Sequence, residues 1–469
     1  MLKLKEKKSM RVLRLTAFAL VVGIICFLIV SCRKSETLEP DIHNGTDPEG
    51  TIEDNESDTP EVNEPDSHFL PIRVTGGLHD SMALEYSAKT AKGYYEVIIW
   101  PPDMCPDSKK QIWCGNIVYT DYETCKRIYL CNVPGCAHNT PDCTSFVKYC
   151  AAIRLFTDYS EDHLYMMSTG MQDIDISLDQ LPSITEMEMD GSNRRTVCTL
   201  DANESFSSFS VWAASDEYVY AIIEHTVLEN GLLRQQKDLE RIWFEDGKRE
   251  LVLDLSDTDE ISQNVLSTWG DKDLIINQGI YGDEASKGWY YCRLSQSGEE
   301  IERFGPRSTF SYYSDQYIIT GEEKDKKATV IATDYATGQR KVIEGVPAET
   351  NFPGSVFIYV RYGDLLNWTF FDENGKNRDY ILDFSDGTIK DMTLRQENTY
   401  EDRAIAIIAD AGNSYFAVIG EKNGSITLTD EEGIPHVYPM RGYPMYALIS
   451  KEDYWNCIPN YRYIDDNVC

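Results

Sequence analysis

Between residues 68 and 469, short apolar runs alternate with polar residues and recur in phase. EDHLYMM (161–167), SDEYVYAI (215–222), DKDLIIN (271–277), SDQYIIT (314–320), GDLLNWTF (363–370) and GNSYFAVI (412–419) each open on a polar residue and pass into aromatic and aliphatic alternation. A period of two with many tyrosines and β-branched residues predicts strands, and no long stretch carries the 3.6-residue period of a helix. Each run is followed by a polar turn: MDGSNRR (189–195), FEDGKRE (244–250), SQSGEE (295–300), TDYATGQR (333–340), FSDGTIK (384–390) and TDEEGIP (429–435). The segment TDYETCKR (120–127) matches TDYATGQR at five of eight positions. Gly191, Gly247, Gly298, Gly338, Gly387 and Gly433 are separated by 56, 51, 40, 49 and 46 residues. Glycine suits tight turns that need positive φ.

Repeats of this length with four short strands each predict an all-β chain folded as a β-propeller. About seven four-stranded blades are expected, at 84–131, 151–200, 208–254, 265–304, 309–345, 355–394 and 404–449, each glycine turn joining the third and fourth strands. Ser450 followed by Glu452 and Asp453 reads as a helix N-cap, so a short C-terminal helix is expected after the last blade. ITEMEMDGSNRRTV (184–197) and IVYTDYETCKRIY (117–129) resemble the YWTD-type propeller repeat of low-density-lipoprotein-receptor proteins. That resemblance implies the propeller fold and transfers no ligand.

The N-terminus changes the picture of where this propeller sits. Lys3, Lys5, Lys7, Lys8, Arg11 and Arg14 precede an apolar run at 15–30, which reads as a secretory signal and is shorter than the roughly 20 residues of a spanning helix. Ile29-Val30-Ser31-Cys32 resembles the lipobox of bacterial lipoproteins, which implies diacylation of Cys32 and attachment to a membrane by acyl chains. The organisation expected is a signal peptide at 1–31, a lipidated Cys32 with an acidic tether at 32–67, and the propeller at 68–469. Residues 36–66 hold twelve acidic residues, four prolines and no lysine or arginine, a composition that extends rather than folds. LCNVPGCAHN and ALISKEDYWNCIPNY make the chain similar to a group of exported lipoproteins from anaerobic gut bacteria, a resemblance that supplies no activity.

The chain has 44 basic and 78 acidic residues, and loss of residues 1–31 removes six and one of them. Such a balance excludes nucleic acid as a partner, because phosphate binding needs positive charge.

Candidate chemistry concentrates in CNVPGCAHNTPDC (131–143). Cys131, Cys136, His138 and Cys143 form C-x₄-C-x-H-x₄-C, a donor set suited to zinc. Export favours disulfides instead, with Cys105 and Cys114 of the loop between the first blade's second and third strands as further candidates. A Cys136/His138 nucleophilic pair is a third reading, but one tight loop does not supply the orienting group and oxyanion site it needs. The segment is expected to link the first two blades, on the face that carries the loops between second and third strands. Long loops of that class are expected at 170–183, 224–240 and 278–288, where binding specificity usually sits. Asp173, Asp175 and Asp179 lack the glycine and glutamate of an EF-hand calcium loop. No metalloprotease, serine-hydrolase, Walker or dinucleotide motif is present. The expected function is a surface-anchored binding or scaffolding lipoprotein with a glycan or protein ligand. A carbohydrate-active enzyme using channel carboxylates and an envelope assembly factor are the alternatives.

Overall fold

The structure, a computed structural model, describes residues 77–78, 86–100, 114–148, 153–168, 181–207, 213–229, 232–255, 261–269, 271–280, 288–304, 310–313, 317–334, 337–348, 356–357, 361–372, 376–399, 402–429, 434–466 and 468. All fall in the second of the chain's two compact units, Val74–Cys469. The signal segment, Cys32, the acidic tether, Cys105 and the aspartates Asp173, Asp175 and Asp179 lie outside the described residues. No helix among the described residues is long and apolar enough to cross a membrane.

Seven antiparallel sheets follow one another along the chain as the blades of a β-propeller. Blade 1 comprises Ser87–Lys89, Gly93–Ile99, Cys114–Asp121 and Lys126–Tyr129; blade 2 comprises Ile153–Thr157, His163–Ser168, Ser183–Glu188 and Arg195–Thr199. In blade 3 the short strands Glu204–Phe206 and Ala213–Ala214 both pair with Tyr218–Glu229, followed by Leu232–Trp243 and Arg249–Asp254. Blade 4 is Ile261–Trp269, Asp273–Ile280, Gly288–Leu294 and Glu300–Phe304, and blade 5 is Phe310–Tyr313, Tyr317–Lys324, Lys327–Asp334 and Arg340–Pro347. Blade 6 opens with Val356–Phe357 and Arg361–Tyr362 on Leu365–Phe371, then adds Asn377–Asp383 and Thr388–Asp391. Blade 7 is Ala406–Ala411, Ser414–Thr429, Pro435–Ser450 and Tyr461–Tyr463.

Each phased apolar run is the second strand of a blade. Both faces of such a strand are buried, which is why it reads as a nearly continuous apolar stretch. In Tyr218–Glu229, Val219, Ala221 and Ile223 pack with Phe156 and Tyr165 of blade 2. Tyr218, Tyr220 and Ile222 pack the other way, with Leu266 and Leu274 of blade 4.

The glycine turns have two physical reasons. Gly247 and Gly298 have φ of +70° and +86°, a region costly for other residues. A Cβ on Gly247 would also run into the Val197 carbonyl, and one on Gly298 would lie 2.6 Å from the Val252 carbonyl. These turns are laid directly on the outer strand of the preceding blade. The two TDY turns share another device, since Asp121 and Asp334 each accept from the backbone and hydroxyl of the threonine three residues on. Cys125, at φ +55°, stands where Gly338 stands in blade 5.

Four details differ from the sequence reading. Phe146–Lys148 pairs with Cys114–Asn116, the continuation of the strand that Lys126–Tyr129 also pairs with. Residues 130–145 therefore interrupt the outer strand of blade 1 and do not link blades 1 and 2. The stretch 224–240 is not a loop: its two strands pair from Tyr218↔Trp243 out to Glu229↔Leu232. The 429–435 turn joins the second and third strands of blade 7, whose pairing ends at Thr429↔Pro435. Finally, the expected helix α1 (Lys451–Trp455) forms with Ser450 as its N-cap, but the fourth strand of blade 7 comes after it.

Ring closure depends on the last residues. Asp465–Asp466 adds in parallel to Lys126 and Arg127 on the outer edge of blade 1. Arg127 is fully buried there, donating to Glu96 of its own blade, to Tyr443 of blade 7 and to Asp466 at 3.2 Å. Lys422 lies 3.0 Å from Asp466, and the Tyr446 hydroxyl donates to Glu96 at 3.0 Å. Tyr94, Tyr122, Phe416 and Tyr446 pack beside this knot.

Burial by itself raises the Asp466 carboxyl, yet Arg127 and Lys422 pull it below its ordinary value. A depressed folded-state pKa contributes stability that is full above the unfolded value of about 4 and is lost as pH falls through the folded value. Arg127→Met is expected to destabilise the propeller by about 3 kcal/mol in urea unfolding at neutral pH, since it takes from the partly buried Glu96 and Asp466 the cation they share. The stability gap between the wild type and Asp466→Asn should shrink as the pH is lowered below about 4. An unchanged urea midpoint for Arg127→Met would remove the knot from any role in closure.

Candidate metal centre

The cysteine segment is an excursion of the outer strand of blade 1. Its first bend is a Pro134-Gly135 turn, with Gly135 at φ +73° and the Cys136 amide donating to the Val133 carbonyl at 3.2 Å, as a type II turn requires. This fold-back returns Cys136 toward Cys131. His138 takes φ +56°, and the Cys143 amide closes a second turn on the Thr140 carbonyl at 3.0 Å. The strand then resumes at Phe146.

Side-chain packing holds this backbone from below. Asn116, fully buried, donates through Nδ2 to the His138 carbonyl and to Ser145 Oγ, both at 2.9 Å. Its Oδ1 accepts from the Trp100 indole at 2.6 Å. The imidazole of His138 stacks on Tyr129 with ring centroids 4.3 Å apart. The cysteines rest on an apolar cluster shared with Ile426, Leu428, Tyr438 and Met440 of the long blade 7 hairpin and with Val468.

The outcome is a convergent donor set. One ligand atom each from Cys131, Cys136, His138 and Cys143 lies within 4.8 Å of all the others. His138 Nδ1 and Cys143 Sγ are 3.3 Å apart, near the edge of about 3.5 Å of a tetrahedral zinc site built from standard bond lengths. Burial lowers the His138 pKa, keeping the ring neutral as a ligand must be. Burial and the two neighbouring thiols push Cys143 up to about 12. Burial also works against ionising Cys131, but a Val133 amide and hydrogen bonds from Cys143, Cys136 and Thr144 outweigh it and lower that thiol. Ionisation is thus favoured at Cys131 and opposed at Cys143. A divalent cation removes that conflict, and the donors present fit one.

Arg194, from the MDGSNRR turn of blade 2, completes the surroundings. It donates to the Thr144 carbonyl, to the Phe146 carbonyl at 2.8 Å and to its own turn at Gly191. Burial lowers its pKa, and a thiolate at Cys143, as a bound cation would create, opposes that shift. A Cys₃His site with a divalent ion carries one net negative charge, which this cation balances.

The four residues read from sequence are thus brought together. Cys114 is buried at the start of its strand in the same apolar cluster but outside the donor set. The described cysteines, Cys114, Cys125, Cys131, Cys136, Cys143, Cys198, Cys292 and Cys457, are all thiols. For a Cys136/His138 nucleophile the geometry is poor, because the imidazole nitrogen faces Cys143.

A second donor set escaped the sequence reading: His225, Asp238 and Glu240 of blade 3. His225 lies between Glu204 at 3.2 Å and Asp238 at 3.0 Å. Arg249 already occupies both oxygens of Glu240, at 2.7 and 3.0 Å, and bonds Glu204 as well. This is an ion-pair network, and its sequence signal is a polar alternation within 224–240.

No protein-family model matches the chain, and no curated protein does. Among solved structures, it is similar to an oligogalacturonate lyase in complex with manganese (12% identity, 78% of this chain, 100% of that one, TM-score 0.41). It is also similar to an acylaminoacyl peptidase in complex with Z-Gly-Gly-Phe-chloromethyl ketone (12%, 83% and 52%, TM-score 0.44) and to that of Pyrococcus horikoshii (13%, 82% and 53%, TM-score 0.42). The match spans about half the length of these peptidases. Likeness at this level carries neither activity nor ligand to this chain.

Arg194→Met removes the balancing charge and leaves all four donors in place. It is expected to weaken zinc retention about 10–100-fold in a chelator competition, the usual cost of losing an outer partner of a metal site. Equal retention by the variant and the wild type would show that Arg194 only supports the turn.

Proposed function

We propose that the chain is an exported lipoprotein, anchored through acyl chains on Cys32, whose propeller is stapled by a structural zinc and serves to bind a glycan or protein. The observation that carries the metal reading is the convergence of three sulfurs and one imidazole nitrogen within 4.8 Å on the outer strand of blade 1. Four protein donors leave no open position for substrate, so the ion stabilises and does not catalyse. The anchor rests on the lipobox-like Ile29–Cys32 segment, and the acidic tether after it serves as a spacer. Binding as the activity is supported by a regular ring with irregular segments grafted on its edge.

Metal analysis and thiol counting on the full chain, purified in detergent, test the staple. One zinc per chain is expected, lost in Cys136→Ser. Absence of metal together with fewer reactive thiols would replace zinc by disulfides. For the anchor, Cys32→Ser should move the chain out of the membrane fraction, and retention there would overturn lipid attachment.

A further inference from the structure

The propeller also departs from its own repeat between blades 6 and 7. Blades 3 and 4 each lay a glycine turn on the outer strand of the blade before, with no room for even a Cβ. In blade 7 the third strand runs into helix α1 instead, and the helix lies against the strands of blade 6. An open cavity of about 480 Å³ remains, within the size range of small-ligand sites of about 300–1,000 Å³.

Its floor is apolar: Leu365, Ile381 and Trp455, the last only 7% exposed and held by its indole donating to Tyr415 at 3.2 Å. At the mouth stands Tyr362, 51% exposed, with Lys451 5.1 Å from its ring centroid. Lys451 is in turn fixed by Asp410 at 2.7 Å, so the ring is braced from one side. Around these lie Asp383, Thr388, Lys390, Glu452 and Asn456, with Lys390 donating to the Trp455 carbonyl at 3.3 Å. Asp383 is oriented by Ser385, whose amide and hydroxyl both donate to Oδ1.

This combination selects a chemistry. The two lysines and two carboxylates cancel, whereas the chain as a whole carries a formal charge of −34. An acidic polymer is repelled by that field, and a cationic one gains nothing locally. A half-exposed tyrosine braced at the mouth offers a flat apolar face, and the rim offers both donors and acceptors. A pyranose ring matches both, with C–H groups on its face and hydroxyls that donate and accept around its edge. We propose that the cleft between blades 6 and 7 binds a neutral saccharide, its ring stacked on Tyr362 and its hydroxyls held by Asp383 and Lys390. The proposal rests on the reading of the protein as a binding module and names that module's site.

The test is calorimetric titration of the full chain, in a detergent without sugar headgroups, with cellobiose, maltose and mannobiose, and with a dihexuronate and a tripeptide as controls. Saturable binding of at least one neutral disaccharide is expected, weakened about tenfold by Tyr362→Ala, the scale of one aromatic contact. Asp383→Asn should weaken it severalfold. Tyr362 is exposed, so its variant is expected to unfold at the wild-type urea midpoint. Binding untouched by Tyr362→Ala would overturn this site while leaving the binding module standing. Preference for the dihexuronate or the tripeptide would overturn the ligand class. No saturable binding to any disaccharide would overturn the proposal, and metal analysis would still decide the zinc staple separately.

Discussion

Closing the ring is the constraint on which the rest of the propeller depends. Seven blades pack only on their neighbours, so an open ring exposes two blade faces to water at once. Here blade 7 meets blade 1 through aromatic packing and through Arg127, a fully buried cation whose partners come from three separate stretches of chain. Glu96 belongs to the first blade, Tyr443 to the last, and Asp466 to the tail that adds a strand to the outer edge of the first. A buried ion pair contributes little net stability compared with apolar packing, but it tolerates few alternatives. The tail pairs with Lys126 and Arg127 at an offset that brings Asp466 to the guanidinium.

The cysteine excursion lies at this same seam. It leaves the outer strand of blade 1 directly after the stretch that receives the tail, and its cysteines sit on side chains from the blade 7 hairpin and on Val468. On its other side, the Gly191 turn of blade 2 approaches the Thr144 carbonyl closely enough that only glycine fits. The excursion therefore touches the blades on both sides of the first one. A metal held there ties its binding free energy to closure of the ring, because the four donors converge only when the outer strand is paired above and below them.

Much of this was legible in the sequence, and the parts that were not share a cause. The phased aromatic runs and glycine turns report local geometry, and the φ values of Gly191, Gly247 and Gly298 and the Asp121 and Asp334 turns match that reading. The donor set was legible because Pro134-Gly135 and the spacing around His138 are local too. The attachment of the cysteine segment was not, because counting residues cannot tell an insertion inside a strand from one between blades. Only the pairing of Phe146–Lys148 with a strand some thirty residues earlier decides it. Gly433 fell in phase with the other glycines by coincidence: blade 7 lengthened its central hairpin and lost its third-to-fourth turn, leaving the period intact. The strands at 224–240 carry no such signal: beyond His225 and Asp238 they pair with each other, outside the registers of Glu204–Phe206 and Arg249–Asp254.

The departures from the repeat are where the two proposed sites lie. The turns at Gly191, Gly247 and Gly298 are under packing constraint, and a site cannot be built at those turns without displacing a neighbour's backbone. Blade 1 escapes the constraint by looping out of its outer strand, which yields a cluster of soft donors. Blade 7 escapes it by exchanging a turn for α1, which yields an aromatic cleft. The cysteine excursion lies at the seam where blade 7 meets blade 1, and the cleft lies where blade 7 meets blade 6. Specialisation there costs the regular part of the ring nothing, since blades 2 to 5 pack on one another regardless of what those two places carry.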